Sequence, residues 1–170
     1  DHTDFAPGWE LAIASEKAGT IGPESTAVLG RIPPELVAVF SAEGPAELVL
    51  SGVDVAVEDD QLALGGHMVD LRGRHATYTE VFVPLHGAHQ LDNALVAVAS
   101  VEAFFDRELP AELVREGLAA VRLPGRFETV GHHPLVVLDG AHNPDALRVV
   151  ARTLEEEFAR ARTARRTGGR

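Results

Sequence analysis

Asp139 and His142 lie in Leu135-Val-Val-Leu-Asp-Gly-Ala-His-Asn-Pro144, where an apolar run gives way to a polar loop and then to Asn-Pro, a helix-start signature. In open α/β sheets ligands bind beyond the carboxyl ends of strands, where loop residues meet helix N-termini with unpaired N–H groups. A carboxylate at such an edge accepts hydrogen bonds from ribose hydroxyls or positions a cationic group. A histidine there donates to an oxyanion or phosphate. Asp139 and Asn143 also suit plain turn and cap roles, and the local pattern leaves both readings open.

A second group stands apart. Fourteen of the fifteen basic residues are arginine, and the single lysine is Lys17, in Glu16-Lys-Ala-Gly19. A chain that otherwise uses guanidinium for positive charge keeps one primary amine, which has chemistry that guanidinium lacks. An ordinary surface Glu-Lys pair is the rival reading.

The elements that must position these groups read as α/β. Residues 8–19 place Trp9, Ala12 and Ile13 at helical spacing. Thr26–Leu29 reads as a short buried strand, and 33–42 as a helix opening on prolines. Residues 47–85 alternate polar and apolar, with Ser51-Gly52, Gly65-Gly66 and Arg72-Gly73-Arg74 as punctuation, which predicts short antiparallel strands. In 89–105 the period returns to 3.6, with Leu91, Ala94, Leu95, Val98 and Val101 on one face. Leu109-Pro110 opens another helix that reaches about Val121. Leu123-Pro-Gly-Arg126 then breaks the pattern, which sets a boundary between 1–123 and 124–170. Beyond it, 127–130 and Leu135–Leu138 read as strands, the second an apolar run of the kind buried on both faces. Asn143 caps a helix running through Leu147, Val150, Leu154 and Phe158.

The composition, 45% hydrophobic and 24% charged over 170 residues, is that of a soluble globular chain and excludes disordered and fibrous classes. No apolar run approaches the roughly 18 to 20 residues of a membrane span. The absence of cysteine and of a cleavable leader fits the cytoplasm. A formal charge of −11 argues against a nucleic-acid surface, and the basic stretch 160–170 reads as solvated helix. Asp1 in place of methionine, and the ending Ala164-Arg-Arg-Thr-Gly-Gly-Arg170, make both ends look cut.

Pro124-Gly-Arg-Phe-Glu128 followed by Asp139-Gly-Ala-His-Asn-Pro144 resembles the opening of the C-terminal domain in the Mur ligase superfamily. The glycine after Asp139 makes it most similar to the folylpolyglutamate and dihydrofolate synthases. His89-Gln-Leu-Asp-Asn93-Ala resembles a helix start of that family, and Asp1-His-Thr3 with Glu16-Lys-Ala-Gly19 resembles its central domain. These matches run from Asp1 to about Phe158. Ala6-Pro7, where the family usually has Leu-Gly, and Gly22, where it often has a basic residue, depart from the pattern.

The resemblance implies an α/β fold: the C-terminal part of a Mur-ligase-type central ATPase domain over 1–123, then the start of a Rossmann-like C-terminal glutamate-ligase domain over 124–170. It implies ATP-dependent addition of L-glutamate to folate or dihydropteroate through an acyl phosphate, by a monomeric full-length protein. In that scheme Asn93 meets the adenine edge, Arg126 the phosphates and Asp139 the ribose, while His142 faces the acyl-phosphate site. His2 and a carbamylated Lys17 ligate Mg²⁺, with Lys17 counted among the catalytic residues. No Gly-x-x-x-x-Gly-Lys-Ser/Thr occurs in the chain, so it is expected to be inactive alone. Two rivals share parts of this pattern, a cell-wall Mur-type amino-acid ligase and a noncatalytic nucleotide-binding or interaction domain.

Overall fold

The computed structural model describes residues 8–132 and 134–158. Helix α1 (Trp9–Ala18) buries Ala14 and Ala18 and packs against α2 (Pro34–Ala42). On either side of α2 lie β1 (Thr26–Leu29) and β2 (Glu47–Leu50), which pair in parallel with Thr26 opposite Glu47 and Leu29 opposite Leu50. The sequence predicts antiparallel pairing throughout 47–85, and β2 departs from it. The α2 crossover returns the chain in the direction of β1, as a parallel pair requires and a tight hairpin cannot do.

The rest of that stretch follows the expectation. Strands β3 (Ala56–Ala63), β4 (Gly66–Arg72) and β5 (Thr77–Val83) form an antiparallel meander in the order β3-β4-β5. Its inner residues Val69, Leu71, Tyr78, Val81 and Val83 join Val49 and Val55 in the core.

Helix α3 (Ala88–Phe105) covers this core with Leu91, Ala94, Leu95 and Val98. Val101, expected on the same face, is 42% exposed, and the polar Glu102 is fully buried instead. Glu102 is tolerated because its carboxylate accepts the Tyr78 hydroxyl at 2.7 Å and the Arg74 amide at 2.6 Å. These bonds fix the β4–β5 turn against α3. Helix α4 (Ala111–Ala119) then returns across β5 and buries Val114.

After the break at Pro124, β6 (Glu128–His132) and β7 (Leu135–Leu138) form an antiparallel pair, followed by α5 (Pro144–Thr153). Burial of β7 on both faces does not hold: Leu135, Val136 and Leu138 are 42%, 42% and 50% exposed. Among the described residues only β6 pairs with it, and a two-stranded ribbon cannot cover its own faces. Asn143 caps α5 as its sequence predicts, accepting the Ala146 amide at 2.8 Å. The helix then widens into a π-helical turn, Leu154–Phe158, which turns Glu157 and Phe158 toward β4 and the start of α3. No helix among the described residues is long and apolar enough to cross a membrane.

Candidate functional site

Two separate stretches of chain meet at a cleft of about 430 Å³. One wall is the first turns of α3, with His89, Gln90 and Asn93. The other is Leu123 and Arg126 at the chain break, Asp139 after β7, and Ala146, Val149 and Val150 on α5. The lining combines an amide, a cation, a carboxylate and a small apolar patch. That combination suits a ligand with a flat polar edge and an anionic tail.

Asp139 is held by its own backbone surroundings. Its Oδ2 accepts the Phe127 amide at 2.8 Å and its Oδ1 the Ala141 amide at 2.7 Å. Both oxygens are thereby oriented, and each keeps a further lone pair for a ligand hydroxyl. Arg126 lies over the same loop: a Cβ on Gly140 would stand 3.7 Å from Arg126 Nη1. The Gly140 amide donates to the Gly125 carbonyl at 2.8 Å, which ties the Asp139 loop to the Pro-Gly turn. The backbone thus sets the cation beside the carboxylate.

On the facing wall Asn93 is exposed and donates to Gln90 Oε1 at 3.2 Å. The inner edge of the His89 ring packs close to Gly87, and that partial burial lowers its pKa below 6.5, against the fields of Asp139 and Glu157. His89 is therefore biased toward the neutral ring at the cleft. One residue earlier on the far side of Asn93, Asp92 Oδ1 accepts from Ser51 Oγ at 3.2 Å and pairs with Arg31 Nε at 3.3 Å. Both partners sit just past the carboxyl ends of β1 and β2, so α3 is anchored to the parallel strands at the edge where α/β folds bind ligands.

Of the residues singled out in the sequence, Asn93, Arg126 and Asp139 line this one cleft. His142 is exposed on the same loop and does not line it, and its Nδ1 lies 3.0 Å from the Gly140 carbonyl oxygen. Lys17 is exposed in the last turn of α1 and does not line the cleft. His2 lies outside the described residues. Among the described residues no three His, Asp or Glu side chains converge as a metal site, and the Lys17 ammonium repels a cation as it stands. The residues described do not by themselves make a magnesium centre.

Sequence reasoning missed the support beneath the cleft. Glu157 Oε1 accepts the Gly87 amide at 2.6 Å and lies 3.1 Å from His67 Nε2, while its Oε2 lies 2.6 Å from His86 Nδ1. Burial pushes the Glu157 carboxyl up, but the bonds from His67, His86 and Gly87 outweigh it and bring the pKa down to about 2. His67 is raised above 6.5 by its bond to Glu157, which together with Asp60 outweighs its burial. The only available signal was the apolar spacing of α5, which marks Phe158, beside Glu157, as inward.

Comparison with known proteins then places the chain. No protein-family model matches it. It is 40% identical over 171 residues to the dihydrofolate synthase/folylpolyglutamate synthase of Mycobacterium tuberculosis, covering 93% of this chain and 35% of the relative. With the Bacillus subtilis protein of the same description it is 32% identical over 169 residues, covering 95% of this chain and 39% of the relative. Among solved structures, M. tuberculosis folylpolyglutamate synthase complexed with ADP superposes with a TM-score of 0.88 at 41% identity, over 93% of this chain and 37% of that one. A folylpolyglutamate synthase complex with AMPPCP and folate superposes with a TM-score of 0.81 at 30% identity, over 87% of this chain and 38% of that one. The chain thus spans between 35% and 39% of the length of these relatives.

Proposed function

The chain is homologous to the dihydrofolate and folylpolyglutamate synthases over the stretch it shares with them, and from that premise we propose that it serves an ATP-dependent ligase adding L-glutamate to folate or dihydropteroate. The observation that carries this reading is the convergence of Asn93, Arg126 and Asp139 on one cleft, in a fold whose M. tuberculosis counterpart was solved with ADP. We read 1–123 as central ATPase domain and 124–170 as the start of the C-terminal domain. A cytoplasmic monomer that binds no nucleic acid completes the proposal, in keeping with the charge of −11.

In the proposed reaction the γ-phosphoryl of ATP passes to a substrate carboxylate, releasing ADP. The amine of glutamate then attacks the acyl carbon, phosphate leaves, and an amide forms. A carboxylate resists amines until one oxygen becomes a good leaving group, so the acyl phosphate supplies what the direct reaction lacks. For this chain's residues the roles are binding and orientation. Asn93 both donates and accepts, as an adenine edge requires. Asp139, held by two amides, accepts ribose hydroxyls, and the planar fork of Arg126 meets phosphate oxygens. His142 donates toward the acyl phosphate from the same loop.

Magnesium belongs to this reading through His2 and Lys17 alone, and when bound it would neutralise phosphate charge. A carbamate on Lys17 would turn the ammonium into an anionic oxygen ligand, which a guanidinium cannot form. In the full-length reading frame a Lys17→Arg variant should be inactive, and full activity would rule the carbamate out.

The test of the function is incorporation of radiolabelled glutamate by the full-length reading frame, given ATP and either folate or dihydropteroate. ATP-dependent incorporation is expected with at least one of them. No incorporation with any pterin substrate sinks the proposal.

A further inference from the structure

The two walls of the cleft belong to opposite sides of the Pro124 break, with Asn93 on α3 and Asp139 before α5. Binding one ligand across both requires that their relation be fixed, and the covalent link between them is a Pro-Gly turn. Glu157 provides a second link. It lies beyond α5, its side chain is 7% exposed, and it accepts the amide of Gly87, the residue that caps α3. α5 also packs tightly at this point: a Cβ on Gly87 would stand 2.8 Å from Thr153 Oγ1 and 2.7 Å from the His89 ring. The rings of His86, Phe127 and Phe158, 5.3 to 5.6 Å apart, close the side of the joint.

We propose that Glu157 is a positioning residue for the nucleotide cleft, clasping the α5 wall to the N-terminus of α3 and so setting where Asp139 and Arg126 stand relative to Asn93. The inference rests on the nucleotide reading above. A buried carboxylate is costly unless its lone pairs are used, and this one meets a backbone amide and two imidazoles at a helix N-terminus, where negative charge is favoured. Its neighbours Glu155 and Glu156 show the ordinary alternative: both are exposed, and Glu156 pairs with Arg152 in solvent. The π-helical turn breaks that pattern and directs Glu157 inward.

The titratable and charged groups that face the clasp come from β3, β4, α3 and the loop before it. β4 supplies His67, which Asp60 on β3 holds at 2.5 Å. The loop before α3 supplies His86, and α3 supplies His89, within the fields of Asp92, Arg126 and Asp139. Both walls of the cleft are therefore coupled to one carboxylate.

The experiment compares ADP binding by calorimetry and hydrogen exchange at the Gly87 amide, in the full-length reading frame and its Glu157→Gln variant. Loss of a charge-assisted buried bond predicts ADP affinity weaker by about tenfold, with the KM for glutamate unchanged and Gly87 protection reduced, since the glutamine oxygen still accepts but without the charge. A purely structural role would lower the melting temperature and leave the ADP Kd alone, and a folded variant with an unchanged ADP Kd overturns the proposal. Should Glu157→Gln fail to fold, His67→Leu removes one donor only and must weaken ADP binding in the same direction, or the proposal falls. If the parent protein binds no ADP while Gly87 protection still depends on Glu157, the nucleotide reading fails and the clasp itself stands.

Discussion

Phe127 donates its backbone amide to Asp139 at 2.8 Å from a left-handed conformation, φ +49°, that a bulky residue rarely adopts. The strain is sustained because the ring is 3% exposed against His86 and Phe158, and because the Asp139 carboxylate is in place to receive the amide. Asp139→Asn keeps an acceptor for one amide and presents an NH₂ group to the other. The expected loss is about 1 kcal/mol in urea unfolding, reduced by solvent access to the loop, together with weaker ADP binding. A variant with unchanged stability would show that Asp139 does not hold Phe127.

Inside the core, the Tyr78 hydroxyl donates to Glu102 at 2.7 Å and accepts the Leu109 amide at 2.9 Å. Tyr78→Phe strips both partners at once, and the expected cost is about 1 to 3 kcal/mol by urea unfolding. Burial pushes the Tyr78 phenol up to about 12, with the Glu102 carboxylate adding to the rise. A raised folded pKa gives stability that is present below 10 and lost as pH climbs toward 12. The parent's alkaline loss of stability should therefore be smaller in Tyr78→Phe.

The Glu157 clasp carries its own pH signature. Glu157 is lowered from 4.5 to about 2, so its contribution is present above 4.5 and lost as pH falls toward 2. His67 is raised above 6.5, so its contribution is complete below 6.5 and lost as pH rises through its folded value. Melting temperature should peak between these limits and decline on both sides. In His67→Gln the alkaline decline should shrink while the acid decline persists, and an unaltered alkaline limb would show that His67 does not carry it.

Much of this was legible in the residues. Asn143-Pro144 announced the cap of α5, and Leu91, Ala94, Leu95 and Val98 announced the buried face of α3, because capping and helical period are local properties. The parallel pairing of Glu47–Leu50 was not legible, since its alternation resembles that of the antiparallel strands that follow and only the partner strand decides direction. Glu102 and Glu157 escaped for a related reason. A glutamate reads as solvated until its donors are known, and those donors come from Tyr78 and from His67 and His86, far away in sequence. The cleft itself was half visible: Asn93, Arg126 and Asp139 were named from sequence and Val150 belonged to the apolar spacing of α5, whereas Ala146 and Val149 lay off that spacing and were not singled out.

Gly87 offers the sharpest separation of backbone strain from crowding. At φ +91° it occupies backbone space that side chains avoid, and an added Cβ would also meet His89 and Thr153 at 2.7 and 2.8 Å. Gly65 has a similar φ of +80° in the β3–β4 turn, with nothing within 4 Å of an added Cβ. Gly65→Ala should therefore cost about 1 kcal/mol, from strain alone. Gly87→Ala should cost more than that amount in strain, since its ψ of 137° lies outside the left-handed helical region, plus a crowding penalty of about 1 to 3 kcal/mol, because α5 must shift off the start of α3 to make room. The same shift moves Asp139 relative to Asn93, so ADP binding should weaken in Gly87→Ala and hold in Gly65→Ala. Equal losses of stability in the two variants would mean that α5 does not press on Gly87, which leaves the Glu157 bond and the Pro124 turn to join the cleft walls.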